Sequence, residues 1–370
     1  MKAINPIIII DLRTWNWTGI GRVTHGIYSC AQELENDFDI FYIVNRGVTP
    51  SSKRNIIFRS KPFGLGEQFE FNKLFRDFDD CSIILHSLNF NVPFWLPKNV
   101  TQVCHFYDVL SSTDEFKTIF HRIAYNLYIR QLRVCKATIL AQSDFTVTEI
   151  QKHHPLYNVI KCPHGFNNYL ENSEFDLEKL YDLTNPYFLY VGLNKPRKNL
   201  KGLMEAYLHA LQTDPTIIYD MVVCGPIYDR TSHGFDIEKF VKSDPILSRR
   251  VHLLGFVDQE HLFSLYKNAS LYVVPSTLES GFSYPALEAL SCGTPVLLNI
   301  YDMYNFQSSK DEVFFFDGSV PGDNANLKTV LLSKLQEQKI DQVNPDTCDV
   351  LKRFSWDKVT EVLRQVYLNR

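Results

Sequence analysis

The chain of 370 residues is long enough for two ordinary domains, since a globular domain commonly has roughly 100–200 residues. Its hydrophobic share of 45% and charged share of 22% are typical of globular proteins and argue against a largely disordered chain. The net charge of −4 argues against a general nucleic-acid-binding protein.

Charge is distributed unevenly between the two halves of the chain. Residues 1–170 contain 18 Lys or Arg and 15 Asp or Glu, whereas the remainder contains 20 and 27. A mildly basic N-terminal half suits peripheral contact with an anionic membrane or a phosphorylated acceptor, and ordinary scatter of charge is the alternative explanation. No apolar stretch approaches the roughly 18 residues needed to span a bilayer.

The eight cysteines form no C-x-x-C pair, so neither a zinc site nor a redox motif is predicted. Several of them lie in apolar runs, where a free thiol behaves as a small hydrophobic side chain. The apolar run at 7–10 meets Asp11 and Arg13 directly and lacks a small-residue cleavage site, so we expect no signal peptide. The expected location is a reducing cytoplasm, including the inner face of the membrane.

Short β-rich runs alternate with helical patterns along the first half. Predicted strands lie at residues 6–12, 41–45, 82–86, 101–106, 138–142 and 159–162. Helices are predicted at about 21–34 and 114–135, and Ser143 is placed to cap a third. The second helix is predicted to have an apolar stripe of Phe116, Phe120, Ile123, Leu127 and Val134.

A polar, acidic stretch at 167–186 separates the two halves, so the expected domains are residues 1–170 and 171–353. Further strands are predicted at residues 187–192, 219–224, 251–254, 271–275 and 295–300. Helices are predicted at about 200–211 and, with Asp258 as N-cap, at about 258–268.

Strands that alternate with helices predict parallel sheets with helices on both faces. Two such halves predict an α/β protein of two doubly wound, Rossmann-like domains facing a cleft. Ligands in such folds bind at the carboxyl ends of the strands.

Residues 275–295 are predicted to form a loop, a short helix and a loop, with Pro285 at the first helical position and Gly293 just after the end. The helix start presents backbone N–H groups suited to a diphosphate. These groups belong to Phe282, Ser283 and Tyr284. Glu288 lies in or just beyond the first turn, where its carboxylate suits a ribose diol; a surface acid interacting with the helix dipole is the alternative.

The loop after the predicted strand at 187–192 places three cations near that strand's carboxyl end. They are Lys195, Arg197 and Lys198. A cation that neutralises phosphate belongs at such a position, and a solvated run of charges is the alternative.

Two weaker candidates follow strands of the first half. Gly19 and Gly21 let backbone approach a ligand closely, but they do not form the G-x-G-x-x-G fingerprint of dinucleotide sites. The neighbouring Trp15 and Trp17 either stack on a sugar or simply pack.

The second candidate lies after the predicted strand at 101–106. His105, Tyr107 and Asp108 are expected to reach the cleft, with a structural role for the histidine as the alternative. No His-Glu-x-x-His sequence or spaced acidic pair is present, so we expect neither a metal nor a resident cofactor.

In their order and spacing these segments resemble the retaining glycosyltransferases of family 4, the group 1 glycosyl transferases, which have the GT-B fold. The similar segments are residues 18–22, 106–110, 141–145, 162–166, 191–192, 196–199, 250–257, 265–271 and 354–356. The last of these starts a helix, at about 354–370, that in this fold crosses back to the N-terminal domain and completes it.

The resemblance implies a role for each matched residue. Glu288 matches the second acid of the family's E-x7-E motif and should bind the ribose, while Lys198 and Arg197 should neutralise the diphosphate. The other implied donor contacts are Gly19, Gly21, Gly192, Phe256, Val257, Phe282, Ser283 and Tyr284, of which Phe256 and Val257 frame the base.

Three positions depart from the family pattern. Ser280 stands where the first motif acid belongs, so either Glu279 reaches the site through a bulge or Ser280 contacts the sugar instead. Leu193 replaces a common arginine. Tyr107 replaces the histidine before Asp108, so either its backbone carbonyl suffices or His105 substitutes.

The resemblance implies metal-independent transfer of a hexose, with retention, from a nucleoside-diphosphate sugar. The implied acceptor is a hydroxyl of a glycan or lipid-linked glycan in surface polysaccharide biosynthesis, bound by the N-terminal domain. The Pro-Arg-Lys-Asn loop favours GDP-mannose over UDP- or dTDP-sugars. The alternatives are a sugar-nucleotide epimerase of the same architecture and a catalytically silent nucleotide-binding relative.

Overall fold

The computed structural model describes residues 6–369 except 18, 48–49, 51, 65, 108–118, 168–173, 227–234, 278–282, 301–305, 309, 311, 319 and 321. The chain divides into two compact units. Unit 1 comprises Met1–Gly165 with Phe354–Arg370, and unit 2 comprises Phe166–Arg353. The boundary predicted from the sequence lies a few residues later, inside the polar stretch.

Unit 1 contains a seven-stranded sheet in the order β3-β2-β1-β4-β5-β6-β7, and every pairing is parallel. The strands are β1 (Ile7–Asp11), β2 (Ile40–Asn45), β3 (Asn55–Phe58), β4 (Ile83–Ser87), β5 (Val100–Phe106), β6 (Thr138–Ala141) and β7 (Asn158–Lys161). The central strands are largely buried, which explains why β1 and β2 are almost entirely apolar in the sequence.

Unit 2 contains a six-stranded sheet in the order β10-β9-β8-β11-β12-β13, again with parallel pairings. The strands are β8 (Tyr187–Val191), β9 (Asp220–Cys224), β10 (Val251–Gly255), β11 (Leu271–Val273), β12 (Val296–Asn299) and β13 (Val313–Phe316). The α/β class and the two doubly wound sheets predicted from the sequence are confirmed.

Helices connect the strands in both units. They are α1 (Ile20–Leu34), α2 (Glu67–Asp77), α3 (Ile119–Val134), α4 (Asp144–His153), α5 (Leu177–Tyr181), α6 (Leu200–Thr213), α7 (Ile237–Ser243), α8 (Leu247–Arg250), α9 (Gln259–Asn268), α10 (Tyr284–Ser291), α11 (Ala325–Leu335), α12 (Asp349–Arg353) and α13 (Trp356–Leu368). Ser143 caps α4 by accepting a hydrogen bond from the Thr146 N–H at 3.0 Å, as predicted. Asp258 occupies the N-cap of α9, but its side chain makes no capping hydrogen bond.

The C-terminal helix α13 packs in unit 1 although it follows unit 2 in sequence. The Trp356 ring fills the space beside Gly26 and Gly165, where an added Cβ would lie 1.9 Å and 2.3 Å from ring atoms. The Tyr367 hydroxyl lies 2.7 Å from His86 Nδ1 in the core. These buried contacts fix the last helix against the first sheet.

The apolar stripe predicted for α3 is on the wrong side of the helix. Ile123, Leu127 and Val134 are exposed, whereas Phe116 and the side chain of Phe120 lie outside the described part of the chain. The buried side instead consists of Tyr125, Tyr128, Ile129 and Leu132. The helix has two apolar stripes, and periodicity alone does not determine which of them meets the sheet.

Candidate functional site

The strand order of unit 2 reverses between β8 and β11, and loops at such a reversal border the ligand crevice of doubly wound sheets. The loop after β8 carries Arg197 and Lys198, and the segment after β11 leads towards Glu288. The Thr277 N–H donates a hydrogen bond to the Arg197 carbonyl at 3.0 Å and joins the two. The structure therefore brings the basic loop next to Thr277, where the segment that leads to Glu288 begins.

The basic loop is a single turn of 3-10 helix at Pro196–Lys198. The Lys198 N–H donates a hydrogen bond to the Lys195 carbonyl at 2.9 Å, which closes this turn. Asn199 follows in the left-handed region at φ 51°, and its side chain donates to Asn324 Oδ1 at 2.8 Å. Arg197 and Lys198 are half-buried on this turn, so they are not fully solvated charges, and their role in neutralising phosphate stays a prediction.

Glycines bring the ends of β8, β9 and β10 close together. The Gly192 N–H donates to the Cys224 carbonyl at 2.9 Å, and the Gly225 N–H donates to the Gly255 carbonyl at 2.6 Å. Gly225 has φ 129°, and a Cβ added there would lie 2.0 Å from the Gly192 carbonyl oxygen. Only glycine suits this close approach. The family resemblance implies Gly192, and the structure adds Gly225 to this edge.

The two residues predicted to frame the base follow β10. The Phe256 side chain is 79% exposed, and Val257 is half-buried. An aromatic ring so exposed at the carboxyl end of a sheet is suited to stacking on a flat ligand group. Their place at the same edge as Gly192 and Gly225 is consistent with the predicted assignment.

Glu288 is buried on α10, and the alternative of a surface acid is wrong. Its side chain is 4% exposed, and the Tyr266 hydroxyl on α9 lies 3.1 Å from its Oε2. Burial raises the pKa of Tyr266 well above its usual value, and the adjacent Glu288 carboxylate raises it further, so the phenol remains the hydrogen-bond donor. The sequence motifs do not reveal this contact of Tyr266 with Glu288.

Helix α10 begins at Tyr284, so Pro285 takes the second helical position rather than the first. Ser283 caps the helix, since its hydroxyl accepts from the Ala286 N–H at 3.4 Å. Pro285 has no N–H, so this helix start offers an anion fewer donors than a first turn of four amides does. Gly293 follows the helix at φ 91°, as predicted.

Three residues of the acidic motif lie outside the described residues. They are Glu279, Ser280 and Phe282. Whether Glu279 or Ser280 takes the place of the first motif acid therefore stays a prediction.

In unit 1 the strand order reverses between β1 and β4, and the glycine loop follows β1. Gly19 is the exposed N-cap of α1 at φ 73°. Gly21 is buried, and a Cβ added there would lie 2.6 Å from the Trp15 carbonyl oxygen. Packing against the chain itself thus explains Gly21 without a ligand, and Trp15 packs on His25 with ring centroids 3.9 Å apart.

His105 is enclosed in the core of unit 1, which corrects the expectation that its side chain reaches a substrate. It is 1% exposed, and its ring stacks between His86 and Tyr107 with centroids 5.1 Å and 6.0 Å away. Burial lowers the pKa of His105 to about 3, so its imidazole is neutral at physiological pH. The Tyr107 hydroxyl donates to the Leu88 carbonyl at 2.8 Å, and Asp108 lies outside the described residues.

A buried ionic network, which no sequence motif reveals, lies at the end of β1. Arg13 Nε and Nη2 donate to the two Asp11 oxygens at 2.9 Å and 2.6 Å, and Nη1 lies 3.1 Å from Glu67 Oε2. Burial raises the pKa of Glu67, although Asn91 and Arg13 act to lower it. Arg13 Nη1 donates a hydrogen bond to the Ser60 carbonyl at 3.3 Å and so holds this loop in place. Because the Arg13 side chain is fully enclosed, it is not a phosphate ligand.

All eight cysteines are free thiols. Across the described residues, no helix combines the length and apolar character needed to cross a membrane.

Sequence comparison supports the assignment made from the motifs. Residues 173–308 match the family model of the glycosyl transferases group 1. O-antigen chain mannosyltransferase B of Escherichia coli is 28% identical over 298 residues, which are 77% of this chain and 73% of that protein. The serotype-specific mannosyltransferase WbdA of Escherichia coli is 26% identical over 182 residues, which are 49% of this chain and 21% of that longer protein.

Structural comparison gives the same fold over nearly the whole chain. The crystal structure of HepE from Anabaena in complex with UDP-glucose matches with a TM-score of 0.68 at 16% identity, covering 99% of this chain and 100% of HepE. The resemblance to group 1 glycosyl transferases and the GT-B fold are thereby confirmed.

Proposed function

We propose that this chain, a glycosyltransferase similar to group 1 enzymes, transfers a hexose from a nucleoside-diphosphate sugar to a hydroxyl of a glycan or lipid-linked glycan. The observation that carries this proposal is the hydrogen bond from Thr277 to Arg197 at the strand reversal of unit 2. It places the basic turn beside the segment that leads to the buried Glu288. In this proposal the phosphate-neutralising and ribose-binding groups therefore lie on neighbouring segments of unit 2.

In this proposal Lys198 and Arg197 stabilise the negative charge that develops on the departing nucleoside diphosphate. Such preorganised charge commonly contributes the largest single part of the rate enhancement. The Glu288 carboxylate, oriented by Tyr266, accepts hydrogen bonds from the ribose diol. The backbone N–H groups of Ser283 and Tyr284 and the edge at Gly192 approach the phosphates and donor sugar.

The bond between the anomeric carbon and the phosphate oxygen breaks, and the acceptor oxygen bonds to the same carbon on the same face. The acceptor proton passes to the departing phosphate. The protein residues then bind, orient and neutralise, and neither a metal ion nor a side-chain nucleophile is required. The product keeps the anomeric configuration of the donor.

GDP-mannose is the favoured donor, and UDP- and dTDP-sugars are the alternatives. The support is the Pro-Arg-Lys-Asn turn together with the two mannosyltransferase relatives. The name of the first relative also supports an O-antigen type of surface polysaccharide as the acceptor.

The test is donor consumption by the purified chain with GDP-mannose, UDP-glucose or dTDP-rhamnose, each with and without a lipid-linked glycan acceptor. We expect one donor to be consumed with the acceptor, at an unchanged rate in EDTA, and proton NMR of the product to show retention. Conversion of the donor sugar without acceptor would instead identify an epimerase. Absence of turnover with every donor would identify a catalytically silent relative.

A further inference from the structure

The departure at Tyr107 leaves two groups to act in place of the histidine of the family pattern, namely the Tyr107 backbone carbonyl and the His105 side chain. The His105 ring is enclosed between His86 and Tyr107, with centroids 5.1 Å and 6.0 Å away, so its imidazole reaches no substrate. Tyr107 is half-buried just past the end of β5, at the sheet edge where ligands bind. The direction of its carbonyl therefore matters for the site.

A glutamine side chain holds the Tyr107 carbonyl. Strands β5 and β6 pair up to Phe106 and Ala141. Tyr107 and Gln142 come next, one step beyond the paired residues, and Gln142 Nε2 donates a hydrogen bond to the Tyr107 carbonyl at 3.1 Å. A carbonyl oxygen has two lone pairs, so this hydrogen bond fixes the direction of the C=O group and leaves a second lone pair for a substrate hydroxyl.

Contacts from neighbouring segments hold both residues in place. The Tyr107 hydroxyl donates to the Leu88 carbonyl at 2.8 Å, and the Tyr107 ring packs on His164 with centroids 5.4 Å apart. Gln142 is 4% exposed, and the next residue, Ser143, caps α4. Both ends of the hydrogen bond are thus fixed before a substrate arrives, as a preorganised hydrogen-bond acceptor requires.

We propose that Gln142 is a positioning residue for sugar transfer, because it directs the Tyr107 carbonyl towards a hydroxyl of the sugar substrate. The carbonyl accepts a hydrogen bond from that hydroxyl and so orients the reacting sugar. Gln142 and Tyr107 lie 35 positions apart in the sequence, and no motif connects them. The role rests on the proposed function, since it concerns the same transfer reaction.

The experiment is steady-state transfer kinetics of the full chain, in which the wild type is compared with Gln142→Met. This variant nearly keeps the shape of the side chain but has no hydrogen-bond donor. We expect kcat to fall about tenfold and the donor KM to stay within about twofold of the wild type. Stabilisation by the nucleoside diphosphate should be unchanged, because the proposed nucleotide contacts of unit 2 do not involve Gln142.

The Gln142→Glu variant tests the hydrogen-bond donor itself. A carboxylate cannot donate, so at about pH 8 this variant should transfer as slowly as Gln142→Met. Burial raises the pKa of a carboxyl at this position above its usual value of about 4.3, so lowering the pH towards about 6 protonates it and restores an O–H donor. Relative to the wild type at the same pH, kcat should then rise roughly threefold or more. The same ratio for Gln142→Met should stay constant.

The matched control is Gln102→Met. Gln102 is a fully buried glutamine in the middle of β5, and its side-chain amide donates to the Val103 carbonyl at 2.8 Å. Gln102→Met should lower the midpoint of urea unfolding, as Gln142→Met does, but it should keep the wild-type kcat. A purely structural role of Gln142 would make the two variants alike.

The proposal would be overturned by a wild-type kcat in Gln142→Met, by an equal fall of kcat in Gln102→Met, or by a Gln142→Glu variant without recovery at lower pH. Because a protonated carboxyl keeps the size and the donor of the amide, Gln142→Glu decides the matter even where Gln142→Met does not fold. A wild type that transfers no sugar would contradict the proposed function and this role with it. An active wild type with any of the three results would contradict the role alone.

Discussion

At the residue scale, the burial of Glu288 excludes a role as a surface acid. Its identity and position relative to Pro285 were visible in the sequence, but its burial was not. The Tyr266 hydroxyl that orients it comes from the preceding helix α9, and no local pattern connects the two residues. Contacts between helices of this kind depend on packing, so they become visible only once the sheet and its helices are assembled.

The Tyr266→Phe variant tests this positioning role. Losing a hydrogen bond to a charged group costs about 1.5–3 kcal/mol, and part of that loss should appear as a donor KM raised roughly tenfold, with a smaller change in kcat. The control is Tyr207→Phe, which removes an equally buried hydroxyl that donates to the Tyr219 carbonyl at 2.7 Å in the same unit. Tyr207→Phe should lower stability without changing the donor KM, and equal KM values in the two variants would rule out the positioning role.

His105 gives a pH prediction. Its pKa is about 3 when folded and about 6.5 when unfolded, so between these values the unfolded chain binds a proton that the folded chain does not. Protonation therefore favours unfolding, and the stability present above about pH 6.5 is lost as the pH falls. His105 alone should account for about 2 kcal/mol between pH 7 and pH 5. Burial also lowers the pKa values of His86 and His164, which act in the same direction.

The measurement is urea unfolding followed by tryptophan fluorescence, because all four tryptophans lie in unit 1. His105→Gln should lose less stability than the wild type between pH 7 and pH 5. His209→Gln, at an exposed position on α6, is the control. Identical pH dependence in the wild type and His105→Gln would show that the buried imidazole does not contribute.

At the element scale, the strands predicted from the sequence include all the central strands and two of the four edge strands of the described sheets, β7 and β10. The other two edge strands, β3 and β13, pair on one side only and were not predicted. Ile57 in β3 is 61% exposed, so its strand is specified by pairing with β2 rather than by burial. For α3 the periodicity predicted a helix but not which of its two apolar sides is buried. That choice depends on how the helix packs against the sheet.

The close contact between the β8 and β9 ends predicts a strong effect of Gly225→Ala. The added Cβ would meet the Gly192 carbonyl oxygen at 2.0 Å in a backbone conformation that disfavours alanine. We expect unit 2 to lose about 2–4 kcal/mol in stability, together with donor binding.

The control for Gly225→Ala is Gly322→Ala, at φ 81° with nothing within 4 Å of the added Cβ. It isolates the backbone strain, and we expect a loss of about 1 kcal/mol and unchanged donor binding. Calorimetry gives both stabilities. Equal losses in the two variants would mean that close approach of the strand ends is unimportant.

At the scale of the whole molecule, two parallel sheets and a terminal helix returning to unit 1 follow from the alternation of strands and helices and from the family resemblance. The site is less predictable, because it is assembled from segments far apart in sequence. The hydrogen bond between Thr277 and Arg197 and the contact between Gly225 and Gly192 both depend on the order of strands within the sheet. An order of strands is a property of the assembled unit, and local patterns do not determine it.

The central claim is that the carboxyl edge of the unit 2 sheet binds a nucleoside diphosphate through Lys198 and Glu288. Its most direct test is the melting temperature of unit 2 within the full chain, measured with and without GDP, UDP or dTDP at about a hundred times the dissociation constant. We expect one of them to raise the melting temperature by about 5–10 °C, and Lys198→Ala and Glu288→Ala each to abolish the shift. The controls Lys201→Ala and Glu205→Ala, on exposed or half-buried positions of α6, should retain it. No shift with any nucleotide, or a full shift in the Lys198 and Glu288 variants, would contradict the claim.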